Sequence, residues 1–181
     1  WITSKITDYP LTPNQISIAV FFISVFSGLI ISIEGYFFLL LGALLAQLSS
    51  ILDGCDGEIA RLKLLESKFG GWFDRVLDRY SDLFILMGLT FHTYFIHKTL
   101  TVFFIGFIVV GGKIISSYTA FVYDTVVSAH NNFRIGRDLI IFIILIGAVL
   151  NIPYITLVVL AFIINAEVCK RLWILKDKLD Y

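Results

Sequence analysis

Charge is scarce in this chain of 181 residues: only 15% are Asp, Glu, Lys or Arg, where a soluble domain carries about a quarter. The fourteen basic and fourteen acidic side chains cancel. No excess of either sign is left to attract nucleic acid, which is not an expected partner. Cysteine is nearly absent, and Cys55 and Cys169 are too few for a disulfide framework. Three prolines and no Gly- or Ser-rich stretch leave no candidate linker. His92, His97 and His130 have no metal-ligand spacing, so structural or interfacial roles are expected for them. What is abundant is apolar: 58% of the residues, at a mean hydropathy of +0.89. That excludes disorder and points to a polytopic membrane domain.

Six apolar segments lie near 15–33, 36–52, 70–97, 99–123, 133–150 and 152–175. Each is long enough, or nearly so, to cross a hydrocarbon core that needs about 20 helical residues. The runs are continuous rather than alternating, which favours helices over barrel strands. The expected fold is all-α, a polytopic membrane bundle of six transmembrane helices forming a single domain over 1–181. Residues 1–12 mix Trp1, Ile2, Ile6 and Tyr9 with Lys5 and Asp8, as a short interfacial helix would. Thr12-Pro13-Asn14 then reads as the start of the first span. Short turns are expected at Glu34-Gly35, His97-Lys98 and Asn151-Ile152-Pro153, and longer connections at 53–69 and 124–132 on the opposite side. Twelve of the fourteen Lys and Arg fall on the side of the long connections. The positive-inside rule therefore puts both termini and those connections in the cytoplasm. The chain starts at Trp1 without the order of a signal peptide, so it is expected to be the C-terminal part of a longer polypeptide.

The informative stretch runs from Asp53-Gly54-Cys55-Asp56-Gly57-Glu58-Ile59-Ala60-Arg61 to Gly70-Gly71-Trp72-Phe73-Asp74-Arg75-Val76-Leu77-Asp78. At about 100° per residue, Asp53, Asp56, Gly57 and Ala60 share one helical stripe, and Gly70, Asp74 and Asp78 share another. Two such helices face to face would gather four carboxylates beside a membrane, a costly arrangement unless something neutralises it. A hard divalent cation is the simplest answer to an all-oxygen set, Mg²⁺ first and Mn²⁺ or Ca²⁺ next. Gly57 and Gly70 leave room for a ligand, and Arg61 offers a fixed positive fork suited to phosphate. Together these describe a site for a diphosphate.

The pattern D-x-x-D-G-x-x-A-R, eight residues, then G-x-x-x-D-x-x-x-D is met at every fixed position by Asp53, Asp56, Gly57, Ala60, Arg61, Gly70, Asp74 and Asp78. It resembles the CDP-alcohol phosphotransferase family. The resemblance implies transfer of an alcohol phosphate from a CDP-alcohol to an acceptor hydroxyl, with CMP leaving. It implies that Asp53, Asp56 and Asp74 hold metal on the diphosphate, and that Asp78 is the base for the acceptor hydroxyl and a further metal ligand. Gly57, Ala60, Arg61 and Gly70 would line the CDP pocket together with the aspartates. A homodimer is implied as well. Phosphoryl transfer asks mostly for positioning, charge neutralisation and a base within reach, which these residue types supply.

Within the family, Phe69-Gly70-Gly71, Leu77-Asp78-Arg79-Tyr80 and Arg134-Ile135-Gly136-Arg137-Asp138 look most like the membrane half of archaeal and thermophile di-myo-inositol-phosphate phosphate synthases. That likeness implies CDP-inositol as donor, inositol 1-phosphate as acceptor and a fused N-terminal cytidylyltransferase domain. The alternative is a phospholipid synthase using CDP-diacylglycerol or CDP-archaeol with inositol phosphate, glycerol phosphate or serine. An acceptor-phosphate site is expected among Lys113, Arg134 and Arg137. Pairing of Lys113 with Glu167, and positive-inside anchoring by Arg134 and Arg137, stand beside that reading. Asp82 continues the Asp74/Asp78 stripe but fits no position of the pattern, so a structural polar contact is expected. Arg75 and Arg79 are read as anchors or aspartate partners, Cys55 as packing, and Glu58 as either a solvated loop residue or part of the pocket rim. A cation pathway would need polar residues through the whole thickness, yet the far loops offer only Glu34 and Lys98. An aspartyl protease would not require Gly57, Arg61 and Gly70 at these spacings.

Overall fold

Backbone polar groups in lipid must be satisfied within the segment itself, and the apolar runs do this as helices. A computed structural model describes residues 12–63, 65, 67–126 and 135–179, the side chains of 55, 56, 59, 60, 124, 126 and 177–179 excepted. Among the described residues there are six helices and no strand: α1 (Pro13–Ser32), α2 (Tyr36–Leu62), α3 (Lys68–His97), α4 (Leu100–Val126), α5 (Arg137–Val149) and α6 (Pro153–Leu179). The expected interfacial segment lies outside the described residues apart from Thr12. At Thr12 the predicted helix start forms, with Pro13 in the first turn and the Thr12 N–H donating to Gln15 Oε1 at 3.0 Å.

The three short turns also form where expected. Each reverses the chain through a left-handed residue: Gly35 at φ 122°, Lys98 at 50° and Asn151 at 55°. One connection differs. The loop expected over 53–69 is confined to 63–67, because α2 continues to Leu62 and α3 begins at Lys68. No breaker stands between Asp53 and Leu62; glycine inside a helix costs only about 1 kcal/mol. Arg61 falls in the last turn, where the helix dipole favours a cation. Ser67 then caps α3, its Oγ accepting from the Gly70 N–H at 2.9 Å. The first half of the pattern is therefore helix, not loop.

Pro13–Ser32, Tyr36–Gly54 and Leu100–Tyr123 are long and apolar enough to cross a membrane. With 30 and 27 residues, α3 and α6 exceed them in length but carry charges along one end. The fifth span, expected over 133–150, is a helix of only 13 residues, about 20 Å long. Its first turn is tied to α2 by Ser50 Oγ, which donates to Asp138 Oδ1 at 2.6 Å. The neighbouring Arg137 is thereby set beside Asp53 of α2 and Asp78 of α3.

α1 packs against both α2 and α3, which scarcely touch each other, while α4 packs on α3 and α6, and α5 on α2 and α6. Small residues set these crossings, as they do where lipid removes the hydrophobic drive between helices. At the α1/α3 crossing, Gly28 and Gly88 abut so closely that a Cβ on Gly88 would lie 2.2 Å from Gly28 O. On the other face of α1, Ser27 Oγ donates to Gly42 O at 2.8 Å. The core fills with Ile31, Leu39, Ile85, Leu89, Ile144 and Leu160. His92 is structural: it is buried, with Nδ1 2.9 Å from Ile33 O. His130 lies outside the described residues.

Candidate active site

The carboxylate-bearing ends of α2 and α3 converge. Asp53, Asp74 and Asp78, all half-buried, bring one carboxylate oxygen each within 4.8 Å of one another. Oxygens sharing one Mg²⁺ at 2.0–2.1 Å stand roughly 3 to 4.2 Å apart. Small side-chain rotations thus suffice to close this all-oxygen set on a hard cation. Asp56, the fourth expected ligand, is in the same helix, but its side chain lies outside the described residues, as does that of Ala60.

Beside this cluster is a cavity of about 450 Å³. α1 contributes Pro13, Asn14 and Ser17; α2 contributes Gly57 and Arg61; Leu65 and Ser67 come from the connection, and Lys68, Gly70, Gly71 and Asp74 from α3. Every described member of the expected CDP pocket except Asp53 is on this wall, and Asp74 joins the wall to the carboxylate cluster. The two pattern glycines do different work. A Cβ at Gly57 would meet nothing closer than Arg61 Nη1 at 3.9 Å, so glycine here keeps cavity space open. A Cβ at Gly70 would come within 3.0 Å of Ser67 Oγ and 3.2 Å of Asn14 Oδ1, so glycine there lets α3 start close to α1. Asn14, Ser17 and Lys68 were not anticipated as wall residues. The Thr12-Pro13-Asn14 helix start was the one signal that could have placed α1 there.

Arg137 occupies a position the sequence did not suggest. Its Nη1 is 3.0 Å from Asp53 Oδ1 and also bonds Asp78 Oδ1, its Nε is 3.4 Å from Asp82 Oδ1, and its Nη2 donates to Ser24 Oγ at 3.4 Å. One guanidinium thus touches three carboxylates on two helices, next to the expected base. Arg79 takes the other oxygen of Asp78, Nη2 to Oδ2 at 3.7 Å, and donates to Ser117 Oγ on α4. Arg79 is therefore an aspartate partner, whereas Arg75 donates to Gly71 O of its own helix at 2.8 Å.

Lys113 does not pair with Glu167. Its Nζ is 3.3 Å from Asp82 Oδ2, which faces α4. Glu167 is taken instead by Arg171 at 3.1 Å and Lys170 at 3.5 Å on its own helix. Arg171 is buried and donates across to Ser116 O on α4 at 2.6 Å. Counted with the positive-inside residues, Arg171 was missed as a buried partner; its i, i+4 spacing from Glu167 was the available signal. Arg134 lies outside the described residues.

Comparison with known proteins bears on the family and the fold. The family model for CDP-alcohol phosphatidyltransferase matches residues 10–169. The bifunctional IPC transferase and DIPP synthase of Rubrobacter xylanophilus is 32% identical over 93% of this chain and 38% of its own length. The protein of the same name from Archaeoglobus fulgidus is 38% identical over 78% of this chain and 28% of its own length. The chain therefore spans well under half of these relatives. Phosphatidylinositol phosphate synthase of Mycobacterium tuberculosis, solved with CDP-DAG bound, superposes with a TM-score of 0.78 at 23% identity, covering 94% of this chain and 89% of that one. A second structure of that protein contains manganese and citrate. With the carboxylate cluster, the cavity and a family match over most of its length, this chain belongs to the CDP-alcohol phosphatidyltransferase family.

Proposed function

We propose that the chain transfers an alcohol phosphate from a CDP-alcohol to an acceptor hydroxyl, releasing CMP, with CDP-inositol as donor and inositol 1-phosphate as acceptor. The observation that carries this reading is the meeting of Asp53, Asp74 and Asp78, of which Asp74 also lines the cavity walled by Gly57, Arg61 and Gly70. The cavity receives the CDP moiety, with Arg61 and Lys68 as cations for its phosphates. A divalent cation held by Asp53, Asp56, Asp74 and Asp78, Mg²⁺ or Mn²⁺, would neutralise charge on the diphosphate. Asp78, with Oδ2 held by Arg79, takes the proton of the acceptor hydroxyl. The acceptor oxygen then bonds to the phosphorus carrying the alcohol, and the bond from that phosphorus to the bridging oxygen breaks. The electron pair leaves with CMP.

Lys113, Arg134 and Arg137 are the cations proposed for the acceptor's phosphate, and the position of Arg137 beside Asp78 supports its share. The relatives named as bifunctional synthases favour the inositol donor and a fused N-terminal cytidylyltransferase domain. The distribution of Lys and Arg favours both termini and the active site in the cytoplasm of a cell-membrane protein. The family match over 10–169 favours one domain, and a homodimer is part of the same reading.

Purified chain with Mg²⁺, CDP-inositol and inositol 1-phosphate should release CMP. Folded protein that releases none with any CDP-alcohol refutes the proposal. A second reading, a phospholipid synthase, is favoured by the fold it shares with a protein that binds CDP-DAG. Competition between CDP-inositol and CDP-diacylglycerol in one assay decides between them.

A further inference from the structure

Asp82 lies outside the aspartate pattern, one helical turn beyond Asp78, and is 5% exposed. Its two oxygens face cations from two different helices: Oδ2 is 3.3 Å from Lys113 Nζ on α4, and Oδ1 is 3.4 Å from Arg137 Nε on α5. Both interactions stop short of hydrogen bonds, leaving Asp82 Oδ2 and Arg137 Nε buried with no hydrogen-bond partner. The opposite edge of the same guanidinium bonds Asp53 and Asp78. Arg137 and a divalent cation therefore compete for the same two carboxylates. A buried guanidinium that gives up its partners is costly unless another anion is at hand.

We infer that Asp82 is a positioning residue for the metal-binding carboxylates: it retains Arg137 by the Nε edge while Asp53 and Asp78 are released to the cation. The inference rests on the reading that Asp53, Asp74 and Asp78 hold the cation. A small rotation of Arg137 toward Asp82 makes the missing Nε–H···O bond and withdraws Nη1 from Asp53 and Asp78. Ser24 Oγ remains within reach of Nη2. Lys113 keeps the other oxygen of Asp82 occupied, so the carboxylate turns one fixed edge to Arg137. Without the Asp82 charge, Arg137 is left to Asp53 and Asp78 alone and competes harder against the metal. The lost negative charge weakens cation binding in the same direction.

Mn²⁺ binding to the purified full chain in detergent, read from the free-ion electron paramagnetic resonance signal without substrate, tests this. Asp82→Asn should weaken Mn²⁺ binding at least five-fold and raise by a similar factor the Mg²⁺ needed for half-maximal CMP release. Asp82→Glu, which keeps the charge, should stay within two-fold of the wild type. In an Arg137→Gln background, most of the effect of Asp82→Asn should vanish, a coupling that general loss of packing would not produce. If Asp82→Asn does not fold, the same measurement is made on Asp82→Asn/Lys113→Met, which removes both members of one ion pair. Unchanged Mn²⁺ affinity, or an equal loss with and without Arg137, overturns the inference and leaves the metal-site reading standing. Wild-type protein that binds no Mn²⁺ overturns both.

Discussion

Gly88→Ala probes the crossing that brings the two walls of the cavity together. A Cβ at position 88 would lie 2.2 Å from Gly28 O, 2.9 Å from Gly28 C and 3.1 Å from Gly28 Cα. Carbon–oxygen contacts settle at about 3.3–3.6 Å, so α1 and α3 must part by about 1 Å. All three opposing atoms are main chain, and no side-chain rotation relieves the clash. Overpacking of this kind costs about 1–3 kcal/mol, and the better helix propensity of alanine offsets at most about 1 kcal/mol. With the full offset the net loss is up to about 2 kcal/mol, which lowers Tm by up to about 8 °C for a chain of this size. Asn14 and Ser17 ride on α1 and Gly70 and Asp74 on α3, so parting the helices also shifts the cavity walls. A misplacement of about 1 Å costs on the order of 100-fold in rate; with the shift diluted along the helix, CMP release should fall at least about tenfold. Gly111→Ala is the control: this α4 glycine has nothing within 4 Å of a Cβ, so the change should be neutral or stabilising. Thermal unfolding in detergent, followed by tryptophan fluorescence, and CMP release are measured together. A Gly88→Ala protein that melts at or above the wild-type temperature and keeps full activity refutes the reasoning.

Asp78→Asn should lower turnover by about 10²- to 10⁴-fold, the usual contribution of a general base, while metal-dependent nucleotide binding stays measurable by calorimetry. Arg137 keeps Asp53 and Asp82 as partners in that variant, so the fold should survive; binding lost in step with turnover would make Asp78 mainly a ligand. Gly57→Val should raise KM for the CDP-alcohol by about tenfold or more, since overpacking a pocket costs about 1–3 kcal/mol. The melting temperature should hardly change, because the added side chain enters open cavity space; an unchanged KM would place the donor elsewhere. Chelation with EDTA should abolish CMP release, and added Mg²⁺ or Mn²⁺ should restore it. Full activity in EDTA would remove the metal from the mechanism.

Much of this was legible along the chain because its signals are local. Continuous apolar runs marked all six helices, and the left-handed turns fell at Gly35, Lys98 and Asn151, where short connections were expected. The spacing of Asp53, Gly57, Arg61, Gly70, Asp74 and Asp78 marked a site in which the carboxylate cluster and the cavity meet at Asp74. The loop over 53–69 was misread because charges and glycines interrupt hydropathy without breaking a helix. α2 simply continues into the site as helix.

Charge partners could not be read in the same way. For Lys113 the sequence offered Glu167 only as a structural alternative to an acceptor-phosphate site; the partner is Asp82, because α4 packs against α3 at that level. Arg137 was expected in an acceptor-phosphate site, and spacing along the chain gave no sign of its contacts with Asp53 and Asp78, which stand beside the Ser50–Asp138 contact at the start of α5. Composition, periodicity and the spacing within single helices determined that this is a helical membrane protein with paired carboxylate stripes, since each depends on residues a few positions apart. That α1 clamps the two stripe-bearing helices, α2 and α3, was decided by helix crossings at Gly28 and Gly88, and at Ser27 and Gly42. These are contacts between residues 15 to 60 positions apart in sequence, and local periodicity says nothing about them.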